Sequence, residues 1–519
     1  MRNLASRYLL AWNGSLVTLL GLTLALAAGL LLIRLTPLGG VLFVGLAILG
    51  VAAVIEPLVG LAAALFLGPL WAYLRAEVPQ IPAQIAQLFV VLALVSWLAR
   101  GLARRNLRIP HPPLLLPLLA FLGAALLSLW DAVELPVYGV PELIKWVQVF
   151  LLYLFVSDRL SACVETRPTS LSWLLWALLT TGVFQAGVGV WQFGLRGEGP
   201  DHFAILGLGE GFYRAYGTFE QPNPYAGYLG LTLPLALGPL TIIAPGKLAN
   251  WYVGILGRRR SLHQSTSLPV YQPTSLPIYQ LLLVGVAALA MFAALGMSWS
   301  RGAWLGFGAA LSVMVVALPR KTRWGLLLVA VLVVGVVGLY TTGLMPSSFL
   351  ARLTDFAQDV RFEDVRGVGI NDANYAIVER LAHWQAALEM WRYNLWNGVG
   401  LGCYEPAYRD FALINWPIPL GHAHNFYLNM AAETGLIGLA AYLLLWGAIF
   451  WQTWRVTRRA EGLSRGLAIG LLGTWTHLSV HNFLDNLYVN NVHLHVAVLL
   501  GLLAFIIRQT DESAIRQTG

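Results

Sequence analysis

Residues 281–319 read LLLVGVAALAMFAALGMSWSRGAWLGFGAALSVMVVALP. The stretch holds two apolar runs, 281–298 and 303–319, and its only charged residue is Arg301 in the short turn between them. A helix of roughly 20 apolar residues crosses the hydrocarbon core of a bilayer, which is ~30 Å thick. The stretch therefore predicts a membrane hairpin. A charged residue at its tip is a functional candidate, because placing charge in or near a membrane is costly.

The rest of the chain has the same apolar character. Of its 519 residues, 58% are hydrophobic and 11% are charged, which excludes an ordinary soluble protein, a disordered chain and collagen. The sequence predicts an all-α, polytopic membrane protein in which residues 1–519 form one domain with about 12–14 spans. The candidate spans are 15–33, 39–55, 57–74, 82–99, 113–130, 143–157, 171–193, 225–244, 281–298, 303–319, 324–342, 433–453, 466–483 and 492–507. A signal peptide is the alternative for the first run, although its apolar length favours a retained span.

Basic residues concentrate in the loops on one side of the predicted spans. With both termini in the cytoplasm, most of the 33 Lys and Arg residues fall in cytoplasmic segments, as the positive-inside rule requires. This distribution accounts for the formal charge of +8 without nucleic acid as a partner. It also places Cys163 inside and Cys403 outside, so we expect no disulfide between them.

Three segments are too long to be simple connections between spans. Residues 245–280 lie on the cytoplasmic side, where TSLPVYQ (266–272) returns as TSLPIYQ (274–280). The two prolines favour an extended, disordered insert without chemistry. Residues 194–224 and 343–432 lie outside, and 343–432 is the largest extracytoplasmic loop.

The large outer loop contains a predicted helix. Apolar residues recur in it at helical spacing, at Leu381, Trp384, Leu388 and Trp391. This spacing predicts an amphipathic helix over 373–393 that rests on the membrane domain or its outer interface.

Four polar patches fall on the outer side under this orientation, and each contains Arg or His close to a predicted span. The patches are residues 214–223, 298–304, 379–402 and 422–438. A guanidinium holds phosphate through two parallel hydrogen bonds and keeps its charge, while an imidazole accepts a proton near neutral pH. The set predicts an anionic, lipid-anchored substrate, and a diphosphate fits that description.

Each patch also has a simpler structural interpretation. Arg301 would then cap the hairpin or extend to the lipid headgroups, and Arg214 and Arg380 would be solvated loop charges. His422 and His424 would bind a metal with His477 or His481 in another interpretation. We expect no metal site, because no carboxylate cluster accompanies these histidines in the sequence.

The fourth patch carries the most specific pattern. His424 and Asn425 are followed by nine residues, then by Gly435, two residues and Gly438. In this spacing the chain resembles the O-antigen ligase and O-antigen polymerase family of membrane glycosyltransferases. The turn 300–302, the stretch 217–223 and Arg380 before an aromatic helix are similar to other family hallmarks. The resemblance extends over about 185–490.

The resemblance implies a GT-C-like glycosyltransferase of polysaccharide or lipopolysaccharide biosynthesis. Such enzymes take a glycan from a polyprenyl diphosphate, such as undecaprenyl diphosphate, and pass it to an acceptor hydroxyl. The expected partners are this lipid-linked donor, a glycan or lipid acceptor and the bilayer, and no metal or other cofactor is expected. The implied location is the bacterial cytoplasmic membrane, with the active site on its periplasmic or extracellular face. The family does not decide between ligase, polymerase and protein glycosylation.

The resemblance also implies roles for individual residues. The catalytic residues would be Arg301 and His424, and His424 would position or deprotonate the acceptor hydroxyl in a single inverting displacement. The arginines expected to stabilise the leaving diphosphate, in place of a metal, are Arg214, Arg301 and Arg380. Asn425 or the external helix would orient the imidazole. The residues expected to support the site are Asn425, His422, Glu433 and His481.

Two other classes of function compete with this interpretation. A transporter, for example of inorganic carbon or of a polysaccharide precursor, would place ionic residues near the membrane midplane, often within paired repeats of spans. The sequence has no such repeat, and its candidate residues lie at the outer boundary. A structural scaffold gives no reason for Arg and His to gather on one face.

Overall fold

The computed structural model describes residues 36–78, 81–103, 105, 110–166, 169–205, 208–257, 277–344, 364–371 and 374–518. These residues form α-helices joined by loops and short 3₁₀ or π turns, and no β-strand occurs among them. In chain order the α-helices are α1 (Pro37–Ile55), α2 (Pro57–Leu67), α3 (Trp71–Glu77), α4 (Ile85–Ala103), α5 (Leu115–Ser128), α6 (Val140–Thr166), α7 (Thr169–Val190), α8 (Pro222–Gly257), α9 (Ile278–Met297), α10 (Arg301–Ala317), α11 (Thr322–Thr341), α12 (Tyr375–Tyr393), α13 (Tyr404–Phe411), α14 (Phe426–Arg459), α15 (Gly462–His481) and α16 (Val492–Thr518).

The membrane character of the fold is evident in the length and composition of these helices. Within the described ranges, nine helical stretches are long and apolar enough to cross a membrane, and three shorter apolar helices accompany them. The predicted all-α, polytopic fold is therefore confirmed. Helix α15 corresponds to the span predicted at 466–483. It is less apolar than those nine stretches, because it carries Arg465, His477 and His481. The first predicted run, 15–33, lies outside the described residues.

Helix α15 lies in the interior of the bundle, where it packs against α8, α10 and α14. Its contact with α8 is close enough to require glycine, since a Cβ on Gly238 would lie 2.1 Å from the carbonyl oxygen of Gly466. Small residues let helix backbones approach one another in a membrane, where dispersion contacts drive association. Nearer the C-terminal end of α15, Gly230 of α8 lies so close to the ring of His477 that an added Cβ would overlap it, so α8 also holds that end of α15.

Helix α14 is interrupted at Gly435. It contains 34 residues against the 20 of α15, or about 51 and 30 Å at 1.5 Å per residue. The two helices are nevertheless adjacent at both ends, because the Phe426 N–H donates to the Asn482 carbonyl at 2.8 Å. Gly435, at φ 62° and ψ −164°, takes up the difference in length with a conformation that only glycine adopts readily. Residues 426–434 therefore bend away from the axis of the span.

The loop 394–403 pairs with the backbone groups exposed at this break. Membrane proteins tolerate non-helical backbone only where such groups find partners within the protein. Four backbone hydrogen bonds supply them, from Val399 to Ala432, from Gly400 to Glu433, from Leu436 to Leu395 and from Ile437 to Trp396. The first glycine of the His-Asn motif is thus a docking point for the extramembranous loop.

The external helix forms where the sequence predicted it, as α12 (Tyr375–Tyr393), but it buries a different face. Of the predicted apolar stripe, Leu381 is buried, whereas Trp384, Leu388 and Trp391 are half-buried. The buried face consists mainly of small residues, Ala382, Ala386 and Ala387, with Val378, His383 and Met390. Alanines face inward because α12 packs closely against α13 and α14.

The segment 245–280, predicted as a disordered insert, begins with helical residues. Helix α8 continues to Gly257, so the first part of the segment 245–280 is helical. Pro245 does not end α8, and neither do the earlier Pro234 and Pro239. Residues 258–276, which include most of the repeated heptapeptide, lie outside the described residues.

We expect Gly435→Ala to destabilise the protein by roughly 2–4 kcal/mol. The positive φ is strained for alanine, and its Cβ would lie 2.2 Å from the Trp396 carbonyl oxygen. Gly447→Ala in the same helix is the matched control, because nothing lies within 4 Å of its Cβ. Thermal midpoints in detergent compare the two variants. Equal midpoints would contradict the requirement for glycine at the break.

Candidate active site

The fourth patch forms a tight turn at the start of α14. Asn425 is the N-cap, and its Oδ1 accepts hydrogen bonds from the N–H groups of Tyr427 at 3.0 Å and Leu428 at 3.1 Å. The preceding residue, His424, has φ 52°, a left-handed conformation that is uncommon outside glycine. Its N–H donates to Nδ1 of His422 at 3.1 Å, which helps to hold this backbone. Strain of this kind clusters at functional sites.

A buried carboxylate faces the two histidines of this turn. Asp485 follows the end of α15, and its Oδ1 lies 3.8 Å from Nδ1 of His424 and 3.9 Å from Nε2 of His422. Burial alone would raise the pKa of Asp485, but contacts with His424, His422 and His481 outweigh burial and hold it well below its ordinary value. Asp485 is therefore an anion at neutral pH. No motif in the sequence predicted a role for Asp485.

The contacts of the ring nitrogens assign the tautomer of His422 and favour one tautomer of His424. Nδ1 of His422 accepts the N–H of His424, so in the neutral ring the proton lies on Nε2, which faces Asp485. In His424 the nitrogen nearest the carboxylate is Nδ1. A proton on that nitrogen leaves the lone pair on Nε2, where a proton acceptor requires it.

Helices α12 and α13 contribute an aromatic wall behind His424. The ring of His383 meets that of His424 edge to face at 5.8 Å and stacks on Tyr408 at 4.6 Å. Nδ1 of His383 lies 2.9 Å from the hydroxyl of Tyr404. Burial, followed by the neighbouring His424 and His422, lowers the pKa of His383 to about 3, so this ring is neutral.

Glu433 supports that wall at a distance from His424. Its carboxylate accepts the N–H of Tyr404 at 3.3 Å, and Tyr404 in turn contacts His383. Asn425 likewise has a local structural role, since its Oδ1 caps the start of α14. Both residues act on the site through the elements that they hold.

Arg380 lies on α12 close to the histidine turn. One guanidinium nitrogen, Nη1, donates to the Ala376 carbonyl at 3.1 Å. Burial first, and then His424 and Arg380, lower the pKa of His422 to about 4, against the opposing effect of Asp485. The charge of Arg380 therefore acts electrostatically on His422.

Arg214 and the hairpin turn are joined by Asn223. Nε of Arg214 donates to the Ser298 carbonyl at 3.1 Å, and Nη2 donates to Oδ1 of Asn223 at 3.3 Å. The Ser300 hydroxyl donates to the same Oδ1 at 2.9 Å. Trp299, between these serines, has φ 54°, a second left-handed residue in the region. The structure thus brings the first and second patches together.

The hairpin turn also meets the end of α15. Gly302, next to Arg301, packs against His481 so closely that an added Cβ would lie 2.6 Å from Cδ2 of the ring. His481 acts electrostatically on Asp485, which faces His424. Contacts therefore run from the turn that carries Arg301 to His424, and all four patches gather in one region.

Comparison with known families agrees with the motif. Residues 286–443 match the sequence model of a family described as O-Antigen ligase. This match supports the resemblance to the O-antigen ligase family. Comparison with curated proteins gave no match. The match supports glycan transfer in polysaccharide or O-antigen assembly by a multi-pass membrane enzyme.

The matched region covers part of the candidate site. Arg301, Arg380 and His424 lie within residues 286–443, whereas Arg214 and Asp485 lie outside. No local pattern around Asp485 distinguishes it from other polar loop residues, which is why sequence reasoning missed it. The available signal was its position in a polar stretch, 481–486, between two spans on the predicted outer side.

The structure places one carboxylate beside the two histidines of the turn. His422, His424 and Asp485 offer three potential ligand atoms that all lie within 4.8 Å of one another. Two imidazoles and a carboxylate form a set that divalent transition metals accept. The sequence suggested His477 or His481 as the third ligand of such a metal site. In the structure the third candidate ligand is an aspartate, from the turn after α15.

We expect acid to destabilise the folded O-antigen ligase domain between pH 6.5 and 5. His422 and His383 have folded pKa values of about 4 and about 3, below the unfolded value of 6.5. The unfolded chain therefore binds more protons as the pH falls, which costs about 2 kcal/mol per histidine at pH 5. Thermal midpoints at pH 8 and pH 5 measure this loss. It should shrink in His422→Gln and persist in the control His202→Gln, an exposed loop residue.

Proposed function

We propose that this protein transfers a glycan from a polyprenyl diphosphate carrier to an acceptor hydroxyl, with His424 as the proton acceptor. The observation that carries the proposal is the contact of His424 with the buried anion Asp485 at 3.8 Å. A carboxylate behind an imidazole fixes its tautomer and stabilises the imidazolium that forms during reaction. Catalytic contacts of this kind are often long before substrate binds.

The transfer is a single displacement at the anomeric carbon. The acceptor oxygen forms a bond to that carbon while the bond to the diphosphate oxygen breaks, which inverts the anomeric configuration. The hydroxyl proton passes to Nε2 of His424, and the polyprenyl diphosphate leaves with the electron pair. The products are the glycosylated acceptor, polyprenyl diphosphate and a proton that His424 returns to solvent.

The leaving diphosphate gains negative charge, and the site supplies positive charge to meet it. We assign this role to Arg301, Arg380 and Arg214, whose guanidinium groups suit phosphate oxygens. Two helix N-termini add partial positive charge, at α10 with its cap Ser300 and at α14 with its cap Asn425. Fixed positive charge of this kind lowers the barrier without a metal.

The proposed site lies on the outer face of the cytoplasmic membrane, with both chain termini inside. Basic residues at the opposite end of α15 support this orientation. Arg320, Arg458 and Arg465 there donate to backbone carbonyls of Ala460, Pro319 and Leu318. Arginines retained on that side agree with the positive-inside rule, which leaves the His424 end outside.

A metal-assisted form of the same transfer is the second candidate. The cluster of His422, His424 and Asp485 favours it, since its donor atoms lie within 4.8 Å of one another. A divalent cation held there would polarise the acceptor hydroxyl and lower its pKa. Chelation separates the two mechanisms.

We expect Arg301→Ala and His424→Ala each to reduce transfer by about 100-fold or more. The first removes a phosphate ligand and the second removes the proton acceptor. The assay uses purified protein reconstituted with a polyprenyl diphosphate glycan, with lipid A core or free repeat units as acceptor. Transfer should survive EDTA in the metal-free mechanism.

The matched controls for this assay are Arg409→Ala and His202→Ala, at exposed positions of the extramembranous segments. Both should retain normal transfer. Loss of transfer on chelation, with recovery on added zinc, would favour the metal-assisted mechanism. Full activity in His424→Ala would exclude His424 as the proton acceptor.

Asp485→Asn tests the carboxylate separately. Asparagine keeps the shape but removes the charge, so the imidazolium loses its stabilising partner. We expect kcat to fall by about 100-fold or more while the KM for the donor changes little, because Asp485 acts through His424. Asp131→Asn, at an exposed position after α5, is the matched control. A change confined to KM would place Asp485 in substrate binding.

A further inference from the structure

A second polar cleft lies in the extramembranous region. It is an open depression of about 600 Å³ between the C-terminal ends of α12 and α13 and the turn 365–367. Tyr393, one of its lining residues, is about 15 Å along α12 from His383, at 1.5 Å per residue. Protein sites for small ligands commonly have volumes of about 300–1,000 Å³. The lining residues that matter here are Arg366, Glu389, Arg392, Tyr393, Asp410 and Phe411.

The charged groups of this cleft balance one another. Arg392 pairs with Glu389 at 2.6 Å, and Nε of Arg366 donates to the Asp364 carboxylate at 2.7 Å. Asp410 adds a further carboxylate. Guanidinium groups are donors only and carboxylates are acceptors only, whereas a hydroxyl is both. The cleft therefore suits a ligand rich in hydroxyl groups and has no excess charge to attract an anion.

Two aromatic rings lie beside these charges. The ring of Tyr393 is 77% exposed and meets that of Phe411 at 5.7 Å. An exposed aromatic face offers an apolar surface to the C–H groups on one side of a sugar ring. Rings together with paired donors and acceptors are the chemistry that recognises a saccharide.

The walls of the cleft are fixed to the rest of the protein. Val365 is buried in a small apolar cluster with Val378, Leu381 and Trp416. The Tyr408 hydroxyl donates to the Trp416 carbonyl at 2.9 Å. Tyr408 also stacks on His383, so the two helices that wall the transfer site also wall the cleft.

We propose that this cleft binds sugar units of the glycan chain, several residues from the bond that is formed. The inference rests on the proposed function for its biological meaning, since the reacting end would lie near His424. It assigns a ligand of uncharged saccharide chemistry, which the chain of the donor or that of the acceptor can supply.

Binding of lipid-free oligosaccharide to the full-length protein in nanodiscs tests the cleft without any need for transfer. The probes are the oligosaccharide released from the polyprenyl diphosphate donor and the oligosaccharide of the acceptor. We expect Tyr393→Ala and Asp410→Asn to raise the Kd of one probe by about threefold to tenfold. The probe whose binding weakens identifies the chain that occupies the cleft.

The controls are Tyr279→Ala, at a ring that is 59% exposed, and Asp131→Asn, and both should bind as the unaltered protein does. In transfer assays, Tyr393→Ala should raise KM for a donor with several repeats and leave a single-repeat donor unchanged. The proposal is overturned if neither oligosaccharide binds, or if both bind equally well to the cleft variants. Either result leaves the role of His424 untouched.

Discussion

The backbone hydrogen bond from Phe426 to the Asn482 carbonyl is the contact on which the site depends. It ties the start of α14 to the residue after α15, although α14 is far longer than α15. Once those ends are joined, the extra length must bend, and Gly435 is where it bends. The bond also sets the histidine turn directly against the turn that carries Asp485. A change in helix packing and the geometry of the proposed catalytic pair are thus coupled.

Burial of α15 explains why polar residues persist at its end. A helix enclosed by protein exposes little surface to lipid, so His477 and His481 avoid the larger cost of facing hydrocarbon. The same enclosure requires close approach of backbones, which the glycines of α8 and α15 permit. Close packing in turn fixes the direction of His481 and the following loop. Helix packing already orders these residues, so holding the polar site in place costs no further conformational entropy.

How much could be predicted from the sequence depended on the range of the interactions involved. Apolar length predicted the spans, and the His424 to Gly438 spacing predicted the family, because both are local patterns. The contact of Asp485 with His424 joins residues from two different turns, and no local sequence pattern near either residue predicts it. The prediction of which face of α12 is buried was wrong for a related reason. Helical periodicity identifies large apolar residues and not the small ones that pack closely against neighbouring helices.

The balance of charge around the histidines favours an anion over a cation in the same space. Burial is the main reason that the pKa of His422 falls to about 4, and His424 and Arg380 lower it further against the opposing effect of Asp485. The positive potential of Arg380 at this point opposes a divalent cation more strongly than a proton, because the charge of the cation is twice as large. The capped N-termini of α10 and α14 add to that potential. The proposed diphosphate donor would offset this positive charge and would bring its reacting carbon to His424. The distances of 3.8 and 3.9 Å to Asp485 then leave room for the imidazoles to close on the carboxylate as a proton arrives.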